Sequence, residues 1–239
     1  MGFMTEKIMM LGADIGKRRD PTAVAVAIVE QRENGDGARK ETHYSIPHLR
    51  RLLPLGQPYP QQAREVVRLA EAALDKFKNM PGVDPNFKSV DFFMDVTGVG
   101  DGFVDLIKPF LRDKFHVVPC RFVHGDKLGK GIDEYRPGKS WFANRLQILS
   151  EGKQIHISPD NPEAEAVATE LMDFDIEVDE TTGIDRYGAM RPGTHDDMVS
   201  ALGLACMTDP FSSDIIMLTF STTPIRRAYA DVYQDFREC

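Results

Sequence analysis

KIMMLGADIGKRRDPTAVAVAIVE, residues 7–30, decides how the fold begins. Residues 7–16 form a short apolar run ending in Asp and Gly, which predicts a buried strand with Asp14 at its carboxyl end. Residues 22–30 alternate and are rich in Val, so a second strand follows the polar turn at residues 17–21. Residues 39–46 predict a third strand, reached through the Asn-Gly and Asp-Gly turn signals of residues 33–37. Three antiparallel strands therefore open the domain.

Beyond a Pro-rich stretch, residues 61–78 space Val66, Leu69, Ala70, Ala73, Leu74 and Phe77 along one helix face. SVDFFMD, residues 89–95, predicts a strand ending on Asp95; TGVGDG leads into a helix over 103–111, and a strand over 115–123 follows. A strand, loop, helix and strand in this order produce parallel pairing with a right-handed crossover. Helices are expected over 139–150 and, with Pro162 at its start, over 162–173, with a short strand at 154–158 between them. Residues 174–178 and 184–189 read as an exposed hairpin, residues 193–207 as a small-residue helix, and residues from 210 as a tail without clear pattern. The expectation is one α/β domain over 1–239, a mixed five-stranded central sheet of three antiparallel then parallel strands, flanked by helices and carrying an extra β-hairpin.

A 239-residue chain with 42% hydrophobic residues can bury a substantial core. No apolar run reaches membrane-spanning length, so no membrane partner is expected. Cys120, Cys206 and Cys239 are widely spaced, which suggests neither a disulfide framework nor a cysteine zinc site and fits a reducing cytoplasm. The formal charge of −8 argues against coating nucleic acid by bulk electrostatics, while leaving room for a local basic groove.

The chemistry lies in the acids. Asp14 and Asp95 each end an apolar strand before a glycine-containing loop, and neighbouring strands would bring them together at the carboxyl edge of the sheet, where sites in open α/β sheets lie. In GTHDDMVSALGLA, residues 193–205, Asp197, Ala201, Leu204 and Ala205 share one helix face, and Asp196 lies about 100° away, as a supporting group or an alternative ligand. The small residues Ala201, Gly203 and Ala205 permit close approach to the sheet. Carboxylates crowded within a few ångströms raise one another's pKa, and a divalent cation resolves the conflict. Hard oxygen ligands select Mg²⁺ or Mn²⁺, and two such ions roughly 3.5–4 Å apart suit phosphodiester hydrolysis. The plainer reading of Thr194 and Asp197 is a capping box at a helix start, with an acid favoured by the helix dipole. Asp14 and Asp95 can likewise be read as strand-end and turn aspartates. His195 is a candidate for a metal, a phosphate or a proton, or a polar surface residue. Lys17, Arg18, Arg19, Lys127, Lys130, Arg136 and Lys139 are candidate phosphate contacts and equally ordinary surface charges. Gly138-Lys139-Ser140 is not a phosphate-binding P-loop, because the Gly required five residues earlier is Asp133 and no apolar strand directly precedes it.

Taken in order, ADIGKRRDPTAVAVA, FMDVTGVGDGFVDLI, KSWFANRLQILSEGKQIHI and GTHDDMVSALGLA resemble the nuclease domain of tailed-bacteriophage large terminases, in the RNase H-like (RuvC-like) superfamily, over roughly residues 8–207. The resemblance implies an RNase H-like sheet and an endonuclease cutting concatemeric double-stranded viral DNA in the cytoplasm of the infected bacterium. It implies Asp14, Asp95 and Asp197 as metal ligands with Asp196 nearby, and a hairpin near residues 173–190 beside the active site. The implied partners are an N-terminal packaging ATPase domain, portal and small terminase; the expectation is an excised domain, with residues 1–7 partly foreign to it, the alternative being a separately encoded nuclease. Alternatives are an actin-like or sugar-kinase phosphotransferase, and a non-catalytic packaging adaptor on the same fold.

Overall fold

A computed structural model describes residues 6–16, 20–34, 37, 39–98, 101–179, 184–189 and 196–212. Its main sheet has eight strands in the order β6-β7-β5-β4-β1-β2-β3-β8. The strands are β1 (Lys7–Asp14), β2 (Thr22–Glu33), β3 (Lys40–Leu52), β4 (Val90–Asp95), β5 (Phe115–Cys120), β6 (Leu128–Lys130), β7 (Tyr135–Pro137) and β8 (Ile155–Ile157). β1, β2 and β3 pair antiparallel, while β4 and β5 continue parallel from β1. The five strands read from the sequence form the centre. Three short strands extend it, so the expected five-stranded sheet is corrected to eight. β6 and β7 lie in a glycine-rich stretch too short for an alternation pattern, and β8 pairs parallel with the first half of β3. A separate two-stranded sheet pairs β9 (Phe174–Asp179) antiparallel with β10 (Ile184–Ala189), as the hairpin reading expected.

Both faces of the sheet are covered, so β1 and β2 are buried almost without interruption. Met9, Leu11, Val24, Val26 and Ile28 face α1 (Tyr59–Phe77) and α2 (Gly102–Leu111) in one core. The alternate positions, Met10, Ala23, Ala25, Ala27 and Val29, belong to the core beneath α3 (Lys139–Glu151), α4 (Ala164–Asp173) and α5 (Asp197–Ala205). Side-chain size thus differs between the two faces of β2: Val and Ile on one, three Ala on the other. The alanine face lets α5 come close. A Cβ on Gly12 would sit 2.1 Å from the Ala201 carbonyl oxygen and 2.4 Å from the Ala205 nitrogen. Gly203, expected with Ala201 and Ala205 to permit close approach to the sheet, instead abuts the ring of Phe142 on α3, 2.3 Å from where its Cβ would lie.

β3 runs six residues past the predicted end at Ile46, and the reason is a bulge. Val26 pairs with His48 and Ile28 with Ser45, so Ile46 and Pro47 together oppose Ala27. Pro47 has no N–H to give the ladder, and a bulge is where a strand tolerates that. The extra residue inverts the alternation. Tyr44 and Ile46 lie in the α5-side core before it and Leu49 after it, whereas Leu52 joins the α1-side core.

Replacing Gly12 by Ala is expected to destabilise the fold by about 2–3 kcal/mol, because backbone rather than a flexible side chain occupies the space. Urea unfolding of the variant checks this, and a change below about 0.5 kcal/mol would contradict the packing described.

Candidate active site

Asp14 and Asp95 are direct register partners on the parallel strands β1 and β4. Both strands end there, so the two carboxylates stand side by side at the carboxyl edge. Asp95 is oriented by its own turn: the Thr97 N–H donates to its Oδ1 at 2.7 Å, and the Thr97 hydroxyl accepts from the Phe122 N–H at 2.8 Å. Asp196, immediately before α5, closes a third side. Together with Thr97, Lys139 and Ser200 these acids line a cavity of about 180 Å³. Phe122, Phe142 and Phe174 supply its apolar surface, and Phe174 is the first residue of β9, so the hairpin begins at the rim of the cavity.

Burial pushes the Asp14 carboxyl well above the ordinary carboxylate range, and the charges of Asp95, Asp197 and Asp196 push it the same way against a hydrogen bond with Ser200. Asp95 is raised as well, first by burial; its bonds to Thr97 and the nearby Lys139 ammonium act in the opposite direction. The fit to a hard divalent cation rests on this donor set: three carboxylates from two strand tips and a helix entrance, none of them thiol or imidazole. As they stand, no group of three or more His, Cys, Asp or Glu side chains among the described residues is arranged to hold an ion.

Asp197 behaves differently from its neighbour. It is 5% exposed and its Oδ2 accepts from Arg51 Nε at 3.0 Å. Arg51 also pairs with Glu170 of α4, and Glu170 Oε2 accepts from the backbone N–H groups of Met198 at 3.1 Å and Val199 at 3.3 Å. Two of the first-turn N–H groups of α5 are therefore satisfied by a carboxylate from another helix. Asp196, the residue before the helix, makes no side-chain cap bond to it; the capping-box reading of Thr194 with Asp197 falls on Thr194, which lies outside the described residues. At the other end Arg145 of α3 donates from Nε to the Cys206 carbonyl at 3.2 Å and from Nη2 to the Tyr44 hydroxyl at 2.7 Å. An anion at the N-terminus and a cation at the C-terminus complement the helix dipole.

The cavity therefore unites Asp14, Asp95, Asp196 and Lys139 among the predicted site residues, with Asp197 packed behind them against Arg51. Lys127, Lys130 and Arg136 are exposed on and beside the β6–β7 edge rather than lining it. Lys130 lies over the Tyr135 ring, and Arg136 Nε donates to Glu134 at 2.6 Å. Lys17, Arg18, Arg19 and His195 lie outside the described residues. Arg51, Glu170, Thr97 and Ser200 were not among the predicted residues. The Asx turn at Asp95 was open to detection in the D-x-T pattern, whereas the pairings of Arg51 with Glu170 and Asp197 join segments 119 and 146 positions apart, those of Glu170 with Met198 and Val199 join segments 28 and 29 apart, and no local pattern announces them. No family model, curated protein or solved structure matches the chain.

Two outcomes follow from the charges. Asp14 holds its proton more tightly folded than unfolded, so its contribution favours folding at low pH and is lost as pH rises from the ordinary value of 3.8 through the raised one. Asp14→Asn should therefore melt higher than the parent in EDTA at pH 7–8, by about 2–4 °C per kcal/mol relieved, and the gap should close towards pH 4. A variant that melts lower at pH 8 would contradict the electrostatic reading. Arg51→Leu leaves two buried carboxylates without their cation and should cost about 3–5 kcal/mol in chemical denaturation.

Proposed function

We propose that the chain is a Mg²⁺- or Mn²⁺-dependent DNA endonuclease of the RNase H-like type, akin to the nuclease domain of tailed-phage large terminases. The observation that carries the reading is the register of Asp14 with Asp95 at the tips of adjacent parallel strands, with Asp196 brought over them by α5. The central strand order β3-β2-β1-β4-β5, antiparallel then parallel, supports it, and so does the agreement between the four sequence segments of the resemblance and the walls of this one cavity.

In this reading Asp14, Asp95 and Asp196 hold the cations and Asp197 anchors the helix that presents Asp196. Bound ions of this kind stabilise charge on a phosphodiester and lower the pKa of an attacking water. Three carboxylates facing one small space repel each other, and bound cations would offset both the burial and the repulsion that raise Asp14. Lys139, at the start of α3 and on the cavity wall, offers a phosphate contact and limits the negative field. Double-stranded concatemeric DNA in the host cytoplasm is the proposed substrate, and a packaging ATPase, portal and small terminase the proposed partners. No described helix is long and apolar enough to cross a membrane.

Incubation of supercoiled plasmid with Mn²⁺ or Mg²⁺ tests the reading. The parent should nick and linearise it, and Asp14→Asn, Asp95→Asn and Asp196→Asn should each lose more than about 100-fold in rate, whereas Asp197→Asn, which disturbs only the support of a ligand, should lose about 10- to 100-fold. Metal-dependent cleavage that survives Asp14→Asn at the parental rate would refute the assignment.

A further inference from the structure

A second cleft lies on the other side of the bulge in β3. β8 pairs with β3 only as far as Ile46, and where the strands part, residues 47–50 of β3 and residues 158–163 ahead of α4 enclose about 410 Å³. The bulge turns Arg51 to α5, and the four residues before it, Pro47, His48, Leu49 and Arg50, together form one wall of this cleft. Two buried nitrogens here have no hydrogen-bond partner among the described residues: His48 Nε2 and Asn161 Nδ2. Asn161 is only 8% exposed, and its orientation is fixed because its Oδ1 accepts from the Glu163 N–H at 3.0 Å. A buried donor left unpaired costs about 1–3 kcal/mol, so a polar partner is the expected occupant.

The lining narrows the chemistry. Asn161 donates, Arg50 is cationic, and Asp160 and Glu163 accept on the same loop. An inorganic anion would meet two carboxylates, and a metal cation would meet a guanidinium and an amide donor. A planar heterocycle with acceptors and donors along one edge satisfies both sets, and Pro47 and Pro162 give each of the two segments an apolar surface for its face. We propose that this cleft binds a nucleobase, with an attached phosphate on Arg50, either as a free nucleotide or as a base of a single strand. The inference stands on the cleft alone and does not require the nuclease reading.

Calorimetric titration of the full chain in EDTA with nucleoside monophosphates, nucleosides, inorganic phosphate and a short single-stranded oligonucleotide tests it. At least one monophosphate should bind with Kd below about 1 mM, and phosphate alone should not saturate. Asn161→Asp keeps the acceptor for the Glu163 N–H and removes the donor; it should weaken nucleotide and nucleoside binding about tenfold. Arg50→Gln, on an exposed side chain that does not support the fold, should weaken the monophosphates and leave nucleosides unchanged. An oligonucleotide that competes with the mononucleotide and binds more tightly assigns the base to a strand; a mononucleotide that outbinds it assigns a free ligand. Asp14→Asn should leave all of these affinities unchanged, which separates this site from the catalytic one. Failure of every nucleotide to bind, phosphate binding as tight as the nucleotides, or nucleotide binding indifferent to both cleft variants would overturn the proposal.

Discussion

The close approach of α5 to Gly12 is the contact on which the rest of the site depends. With the Ala201 carbonyl and the Ala205 nitrogen where a Gly12 side chain would be, the helix lies directly on β1, and the residue before it stands over the tips of β1 and β4. Three alanines on the same face of β2 extend the flat surface. A larger residue at Gly12 would lift the helix, and with it Asp196, away from Asp14 and Asp95. Packing and the placement of the acids are thus one constraint: the smooth face of the sheet lets α5 lie close enough to carry Asp196 to its edge.

Delivering an acid to a buried edge creates an electrostatic problem, which the fold answers from outside the site. Glu170 takes two first-turn N–H groups of α5, Arg145 takes a terminal carbonyl, and Arg51 compensates both Asp197 and Glu170. Arg51 reaches them only because the bulge at Pro47 has moved it to the α5 face of β3; without the extra residue, alternation would place Arg50 there instead. One irregularity therefore serves two places, since Pro47 and the residues after it, His48, Leu49 and Arg50, also form a wall of the second cleft.

Much of this was legible in the sequence, for physical reasons that differ by element. The strand ends at Asp14 and Asp95 were readable because an apolar run stops abruptly at an acid followed by a glycine loop, and the helices because apolar residues recur at helical spacing. The extension of β3 was hidden, since Pro47 reads locally as a strand terminator and only pairing with β2 reveals a bulge. β6 and β7, at three residues each, are too short for any period to register, whereas the short strand expected at 154–158 is β8, whose place beside β3 the sequence did not show. The site was legible as a set of acids, but not the ion pairing behind it: Asp197 bonds to Arg51, 146 residues earlier in the chain, and no local pattern announces that partner.

The central claim is that Asp14, Asp95 and Asp196 form the walls of a cation site. Anomalous diffraction from a crystal of the chain soaked in Mn²⁺ measures this directly. The account predicts a manganese peak within coordination distance of both Asp14 and Asp95, with Asp196 rather than Asp197 on its third side. A crystal saturated with Mn²⁺ that shows no peak between the two strand tips, or a peak bound by Asp197 released from Arg51, would contradict it.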